Sequence, residues 1–420
     1  MTAVTEPAPR IATLDIVRGV AVMGILAMNI IAFAMPLEAY VNPAAFGTEG
    51  IADLISWAFS FVFIDGKMRG LFSFLFGASI LLVLDRAAAK GEDSGSVHFR
   101  RMIWLLFFGC LHFYFIWFGD ILVGYALIGM LCWFFYDKEP RKLIFWGVVL
   151  VAIQFLLFAA MAAGYHGIAA AVAAPNPAPQ MVKAWAAMQE GVGVPTAAQL
   201  QETLTRYRGG WLDLVHHQVT KKTGDPFIMA FVYGWETLGY MLFGMAALKN
   251  GFLTGAWKDA RYRKVAIVGF GIGIPVYAAL AAILWSDGFT VPMVVTVAMA
   301  GTVFFRPLMV IATAALIILL TRRGGALVQR IAAAGRAAFT NYLGTSILMT
   351  SLFYGWGIGL FGSLSRAELW LVVIVTWALM LLWSKPWLDR HQYGPFEWLW
   401  RTLARGKMQP MRKPLPAPAE

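Results

Sequence analysis

The sequence predicts an all-α, polytopic membrane bundle of about ten transmembrane helices, and three observations lead there. The 420 residues are 60% hydrophobic and only 14% charged, with a mean hydropathy of +0.67. A soluble globular chain is nearer half apolar and a quarter charged. Composition therefore sets aside a cytosolic enzyme, a disordered chain and a disulfide-stapled secreted domain. Apolar windows of about 20 residues, the length that crosses a hydrocarbon core, recur along the chain. The basic residues gather on alternate connections between those windows, as the positive-inside rule requires.

The opening MTAVTEPAPR is polar and Pro-containing, with no small-residue cleavage site behind a short apolar core, so no cleaved signal peptide is expected. Spans are expected at roughly 14–35, 68–85, 102–118, 120–136 and 143–163, which make an N-terminal bundle of residues 1–163. Segment 51–64 (IADLISWAFSFVFI) is apolar but too short to cross beside its successor. It reads as an interfacial or re-entrant helix running into Asp65-Gly66-Lys67-Met68-Arg69-Gly70. Residues 164–226 are a long external connection with an Ala/Pro-rich start and two helices, around 181–190 and 197–220. They serve either as a cap over an external cavity or as an interfacial spacer.

Spans at 227–248, 265–285, 293–320, 337–355 and 368–384 complete a C-terminal bundle of residues 227–390. The window at 293–320 is interrupted by Phe305-Arg306-Pro307, where the proline removes a backbone donor and kinks the helix. Residues 391–420 form a cytoplasmic tail, anchored at headgroup level by the aromatic, amphipathic stretch Gly394 to Trp400.

With the N-terminus inside, the basic groups at 86–101, 138–142, 249–264, 322–336 and 385–413 are all cytoplasmic, whereas 36–50, 286–292 and 356–367 contribute only Arg366. The excess of 34 Lys and Arg over 23 Asp and Glu is thus topology and anionic-lipid contact, not nucleic-acid binding. Both termini are expected in the cytoplasm. Cys110 and Cys132 sit in apolar runs and suggest neither a disulfide nor a metal site. No phosphate-binding Gly-rich loop, His/Cys ligand cluster or GxSxG elbow occurs in the sequence.

An ionisable group at span depth is costly, so it marks either function or a lock between helices. Asp15 and Arg18 share one face of the first span and can pair at its cytoplasmic edge. Gly19 and Gly24 allow close packing. Asn29 lies about 16 Å further along the same face and needs a partner, from another helix or from a ligand.

The stretch LDIVRGVAVMGILAMNI resembles the opening of the YeiB-like family of bacterial membrane proteins of unknown function. DGKMRGLFSFLFG, FGCLHFYFIWFGDILVGYALIG, AAGRAAFTNYL and the late GPFEWLWR fit the same family from end to end. The resemblance places the chain near the transmembrane acyltransferases, which include bacterial O-acetyltransferases of surface polysaccharides and the lysosomal heparan-α-glucosaminide N-acetyltransferase. In the polysaccharide enzymes an Arg on the first helix is followed by a His that serves as base. Here Arg18 is kept, but Asn29 stands where that His would fall. The heparan-type enzyme also has an Asn there, with its His soon after, and residues 30–63 of this chain contain none.

His112 is the one histidine within an expected span, about 16 Å deeper than Arg101. The arrangement suits an acyl donor such as acetyl-CoA, with phosphates at Arg18, Arg100 and Arg101 and the thioester at His112. A neutral imidazole would take the acceptor's proton. Asp120 would orient it, and Asn29 and Asn341 would hold the oxyanion. Asp65, Lys67 and Arg69 form either an acceptor-binding mouth or a salt-bridged break. Arg306 beside Pro307 resembles the broken helices that line transporter cavities. Each group also has a plain reading as helix glue.

The leading expectation is acyl transfer from cytoplasmic acyl-CoA to an acceptor near the outer face, without a metal. A transporter, or a non-catalytic binding protein for a small metabolite or lipid, would use the same polar cavity. The expected partners are membrane lipids, a small-molecule or glycan acceptor and a second copy in a homodimer. The expected location is the bacterial cytoplasmic (inner) membrane.

Overall fold

The computed structural model describes residues 11–413. Residues 1–10, on which the expectation of no cleaved signal peptide rests, and 414–420 of the expected tail lie outside the described residues. In chain order the helices are α1 (Ala12–Ala34), α2 (Glu38–Val41), α3 (Ile51–Phe63), α4 (Lys67–Ala89), α5 (Ser94–Phe115) and α6 (Leu122–Leu131). They continue with α7 (Pro140–Val172), α8 (Pro179–Gln189), α9 (Ala197–Tyr207), α10 (Trp211–Lys221), α11 (Asp225–Lys249) and α12 (Asp259–Asp287). The last are α13 (Val291–Val294), α14 (Arg306–Thr321), α15 (Ala326–Arg336), α16 (Ala338–Phe353), α17 (Arg366–Arg390) and α18 (Pro395–Arg405). A 3-10 turn, Cys132–Phe135, extends α6, and a π-helical stretch, Val295–Gly301, extends α13. Among the described residues the only extended pairing is an isolated bridge between His391 and Arg412.

Among the described residues, five stretches are long and apolar enough to cross a bilayer: α1, α3 with α4, α7, α12 and α17. The π stretch with α14, bent by 53° at their break, raises the number to six. The all-α expectation therefore holds, and the molecule is a helical membrane protein. The remaining expected spans correspond to α5, α6, α11 and α16. Helices α5 and α11 have 22 and 25 residues, but carry Arg100, Arg101 and His112, or Glu236. Helices α6 and α16 have only 10 and 16 residues. The polar content that keeps α5 and α11 from being plain apolar windows is also what builds the site.

Helix α1 is the hub: 78% of its apolar window is buried, against 28% for α12 and α17. It is apolar on every side because every side meets protein. The outer helices carry rows of large exposed apolar groups, such as Ile267 and Ile272 on α12, and Leu371, Val375 and Leu382 on α17. Lipid is the natural partner of such faces.

Several boundaries differ from expectation for local reasons. The helix expected to end at 163 continues through an Ala-rich run to Val172. The loop helix expected over 197–220 is two, because Gly209-Gly210 interrupts it between α9 and α10. Helices α3 and α4 together would run about 58 Å, nearly twice a hydrocarbon core. A turn through Gly66, whose φ of 67° suits glycine, divides them. Pro307 sits in the first turn of α14, so it starts a helix after the π stretch where a mid-helix kink was expected.

Close crossings rest on reciprocal glycines. A methyl on Gly244 of α11 would overlap the Phe74 carbonyl of α4, and one on Gly77 of α4 would overlap Met241 of α11. Gly19 of α1 and Gly335 of α15 pack in the same reciprocal way, against Ile331 and Asp15. Gly244→Ala must therefore separate two backbones that no rotamer change can relieve. A loss of about 1–3 kcal/mol is expected, read as a lower midpoint in detergent-solubilised thermal unfolding, while an alanine at exposed Gly271 within α12, which faces open space, is expected to leave the midpoint unchanged or slightly raised.

Candidate functional site

His112 stands near the C-terminal end of α5, and its Nδ1 lies 2.8 Å from Asp120 Oδ1, with both side chains fully buried. The chain turns between α5 and α6, which brings Asp120 back onto the imidazole. The second carboxylate oxygen accepts from the Val123 N–H at 2.7 Å and so caps the first turn of α6. Both oxygens accept, so Nδ1 is the donor to Asp120, and in the neutral form of the ring Nε2 is left with the lone pair. Among the described residues no partner meets that Nε2. The expected orienting role of Asp120 thus has a direct geometric basis.

Two aromatic rings flank the imidazole: Tyr342 of α16 at 5.2 Å and Trp117 at 6.1 Å between ring centroids. The Tyr342 hydroxyl accepts from the Ile121 N–H at 3.2 Å, tying α16 to the start of α6. Tyr342 also lines a narrow cleft, together with Asn29, Phe33, Thr345 and Ser346 among others. Phe33 stacks on Trp117 at 3.8 Å. Trp117 in turn lines a second narrow cleft beside α9 and α10. The buried histidine therefore sits beside rings that line two clefts, one of which Asn29 also lines.

The basic residues at the ends of these helices are dispersed over different neighbours. Arg18 donates to Asp15 at 3.1 Å and to Ser79 of α4 at 2.8 Å. Arg101 lies 4.2 Å from the Trp400 ring of α18, and the Trp400 indole donates to the Arg101 carbonyl at 3.0 Å. Arg100 is exposed. Asn341 is fully engaged: its amide donates to the Ala334 carbonyl and Ser384, and its oxygen accepts from Trp383 at 2.9 Å. In this arrangement it braces α15, α16 and α17.

A second polar centre joins the residues after segment 51–64 to the broken helix. Glu236 of α11 accepts from Arg306 through both oxygens, at 2.8 and 2.6 Å, and from Arg69. Arg306 also donates to Thr302 at 2.6 Å, across the gap between the π stretch and α14. Gln154 of α7 accepts from the Glu236 N–H at 3.2 Å and donates to the Val232 carbonyl at 2.9 Å. Lys67, wholly buried, donates to the Phe61 carbonyl and lies 3.3 Å from the Tyr277 ring centroid. Asp65 is half-buried at the edge of this group. Tyr125 of α6 follows Asp120 by five residues, and its hydroxyl meets Ser73 at 2.9 Å and the Arg69 carbonyl at 3.3 Å.

Sequence reasoning placed Lys67, Arg69 and Arg306 as cavity candidates but missed Glu236, their common partner. The signal was present: Glu236 is the one acidic residue of the 227–248 window, as Gln154 is the one polar residue of 143–163. Tyr342 and Trp117 gave no such signal, since aromatic residues abound in membrane helices.

Fold and site together define an all-helical membrane protein with two buried polar centres packed around a central span. The chain belongs to the YeiB-like family. A protein family of unknown function, DUF418, matches residues 247–407. The chain is 32% identical over 400 residues to the uncharacterized protein YeiB of Escherichia coli, covering 93% of this chain and 95% of that protein. It is 30% identical over 426 residues to the uncharacterized protein YxaH of Bacillus subtilis, covering 96% of each. An uncharacterized 39.9 kDa protein from the amylase 3' region of Bacillus acidopullulyticus is 26% identical over 403 residues, again covering 96% of each. No solved structure matches the chain.

Proposed function

We propose that this chain is a multi-pass acyltransferase of the bacterial cytoplasmic membrane that moves an acyl group, in the first instance acetyl, from cytoplasmic acyl-CoA to an acceptor near the outer face. The observation that carries the proposal is the His112–Asp120 pair with its unpartnered Nε2. A buried imidazole oriented through Nδ1 by a carboxylate is equipped to accept a proton at Nε2 and to be stabilised as imidazolium. As the acceptor oxygen or nitrogen attacks the thioester carbonyl carbon, its proton passes to Nε2. The carbon–sulfur bond then breaks, and the leaving thiolate regains that proton to give free CoA and the acylated acceptor.

The topology in this proposal has ten spans, with α5, α6, α11 and α16 completing the set and both termini cytoplasmic. It sets Arg18, Arg100 and Arg101 at the donor side. Arg100 is free to meet phosphate, while Arg18 and Arg101 would have to share their present partners. Asn29, at the Tyr342 cleft, is the amide available for the developing oxyanion.

One observation favours a rival. Arg306 begins a helix after a π-helical break and meets Glu236 within the bundle, an arrangement that suits solute movement past a hinged half-helix. Acetyl-CoA binding separates the two. The acyltransferase reading expects a saturable thermal shift of the purified protein with CoA and acetyl-CoA. No shift with either, together with solute uptake by CoA-free proteoliposomes, would establish the transporter instead.

A further inference from the structure

The block GPFEWLWR takes no part in either polar centre. It opens α18, which packs on α5 and α16. Its apolar groups Phe396, Leu399 and Trp400, with Leu403 one turn on, lie against the main core. Its acidic residue makes the most specific contact. Glu397 Oε1 accepts from the Phe339 N–H at 2.6 Å and the Thr340 N–H at 3.0 Å, and Oε2 accepts from the Thr340 hydroxyl at 2.5 Å. The Phe396 N–H donates to that same hydroxyl at 3.0 Å.

The first N–H groups of a helix have no partner within it. Ala337, at the start of α16, has no side chain to cap them. Glu397 supplies that cap from a different helix, 57 residues beyond Thr340. A carboxylate there also meets the positive end of the helix dipole. Among the described residues no cation pairs with Glu397, so α16 itself holds the charge. Gly394 permits the approach, since a methyl there would overlap the Thr340 hydroxyl and the Glu397 carboxylate.

The capped turn leads directly to the histidine. Tyr342 follows Thr340 by two residues, its ring lies 5.2 Å from the His112 ring, and its hydroxyl takes the Ile121 N–H. Asp120 takes the Val123 N–H, so the starts of α16 and α6 belong to one network. Helix α18 reaches the same place along α5. The Trp400 indole donates to the Arg101 carbonyl, and the Phe339 ring lies 5.6 Å from both Trp400 and Phe108, which is one turn before His112.

We propose that Glu397 is a positioning residue: by capping α16 from α18 it sets Tyr342 against the His112–Asp120 pair and so fixes how that imidazole is held. The effect on the imidazole follows from these contacts. Its consequence for transfer rests on the acyltransferase reading above.

The test compares the full-length parent in lipid nanodiscs with Glu397→Ala, Glu397→Gln and Thr340→Val. Loss of the cap in Glu397→Ala is expected to quicken amide hydrogen exchange at the start of α16 about fivefold, with a smaller rise in Thr340→Val. Glutamine keeps an oxygen for the two N–H groups, so Glu397→Gln is expected to stay close to the parent. His112 is fully buried in the parent, so its modification by diethyl pyrocarbonate, read by mass spectrometry, can only quicken when its setting loosens. A rise of about fivefold is expected in Glu397→Ala, a smaller one in Thr340→Val and none in Glu397→Gln. Under the acyltransferase reading, kcat falls about tenfold in Glu397→Ala with KM for acetyl-CoA unchanged. If Glu397→Ala does not accumulate, Thr340→Val decides the same two readouts. Unchanged exchange at α16 overturns the proposal. So does quicker exchange with His112 modified as slowly as in the parent, which would make Glu397 a peg for α16 alone. A rise in both readouts with no transfer by the parent would keep the positioning role and reject the acyltransferase.

Discussion

The Glu236→Ala variant is expected to lose about 3–5 kcal/mol of stability, the cost of leaving a buried charge without its partner. Arg306 and Arg69 both point their guanidinium groups at this one carboxylate, and Arg306 is only 5% exposed. A whole domain holds about 5–15 kcal/mol, so the variant should accumulate poorly in the membrane. It should also unfold at markedly lower temperature in detergent. The cause is distinguishable from lost volume. Glu236→Leu combined with Arg306→Met removes both charges of the more deeply buried pair and leaves Arg69, 28% exposed, as the one cation without its carboxylate, so it is expected to recover part of the lost stability. If the single and the double replacement unfold alike, the ion pair is not what holds α11 to the broken helix.

The largest functional effect is expected at His112. Replacement by alanine removes the base, and a fall in transfer of about 10²–10⁴-fold is expected, with the protein still present at normal levels. Asp120→Asn tests the orientation separately. An asparagine retains the cap on the Val123 N–H, but its amide can donate to Nδ1 and so favours the wrong tautomer. Transfer should fall steeply while unfolding temperature changes little. Equal activity in parent and Asp120→Asn would leave the pair a structural clamp between α5 and α6.

Much of the bundle was legible because bilayer thickness imposes a length that a sequence cannot hide. The turn after 51–64, the break at Phe305-Arg306-Pro307 and the close approach at Gly19 all follow from single-residue chemistry and appear in the structure. The His112–Asp120 pair was legible because both residues flank one tight turn. What was not legible depends on pairing across the bundle. Nothing in the first half of the chain says that Arg69 will meet a carboxylate 167 residues later. Asn341 illustrates the opposite outcome, where a promising amide is consumed by Ala334, Ser384 and Trp383. The aromatic cleft was invisible because its walls come from the end of α5, from α9 and α10, and from residues just after α16. No local pattern distinguishes a ring that lines a cleft from one that faces lipid.

The central claim, that His112 serves acyl transfer from a cytoplasmic thioester, is tested most directly with inside-out membrane vesicles supplied with acetyl-CoA radiolabelled in the acetyl group. Vesicles containing the parent protein are predicted to move label from CoA into a membrane-associated or lumenal product. Vesicles with an equal amount of His112→Ala should remain at the level of vesicles lacking the protein. Equal label transfer by parent and His112→Ala, or none above empty vesicles from either, would contradict it.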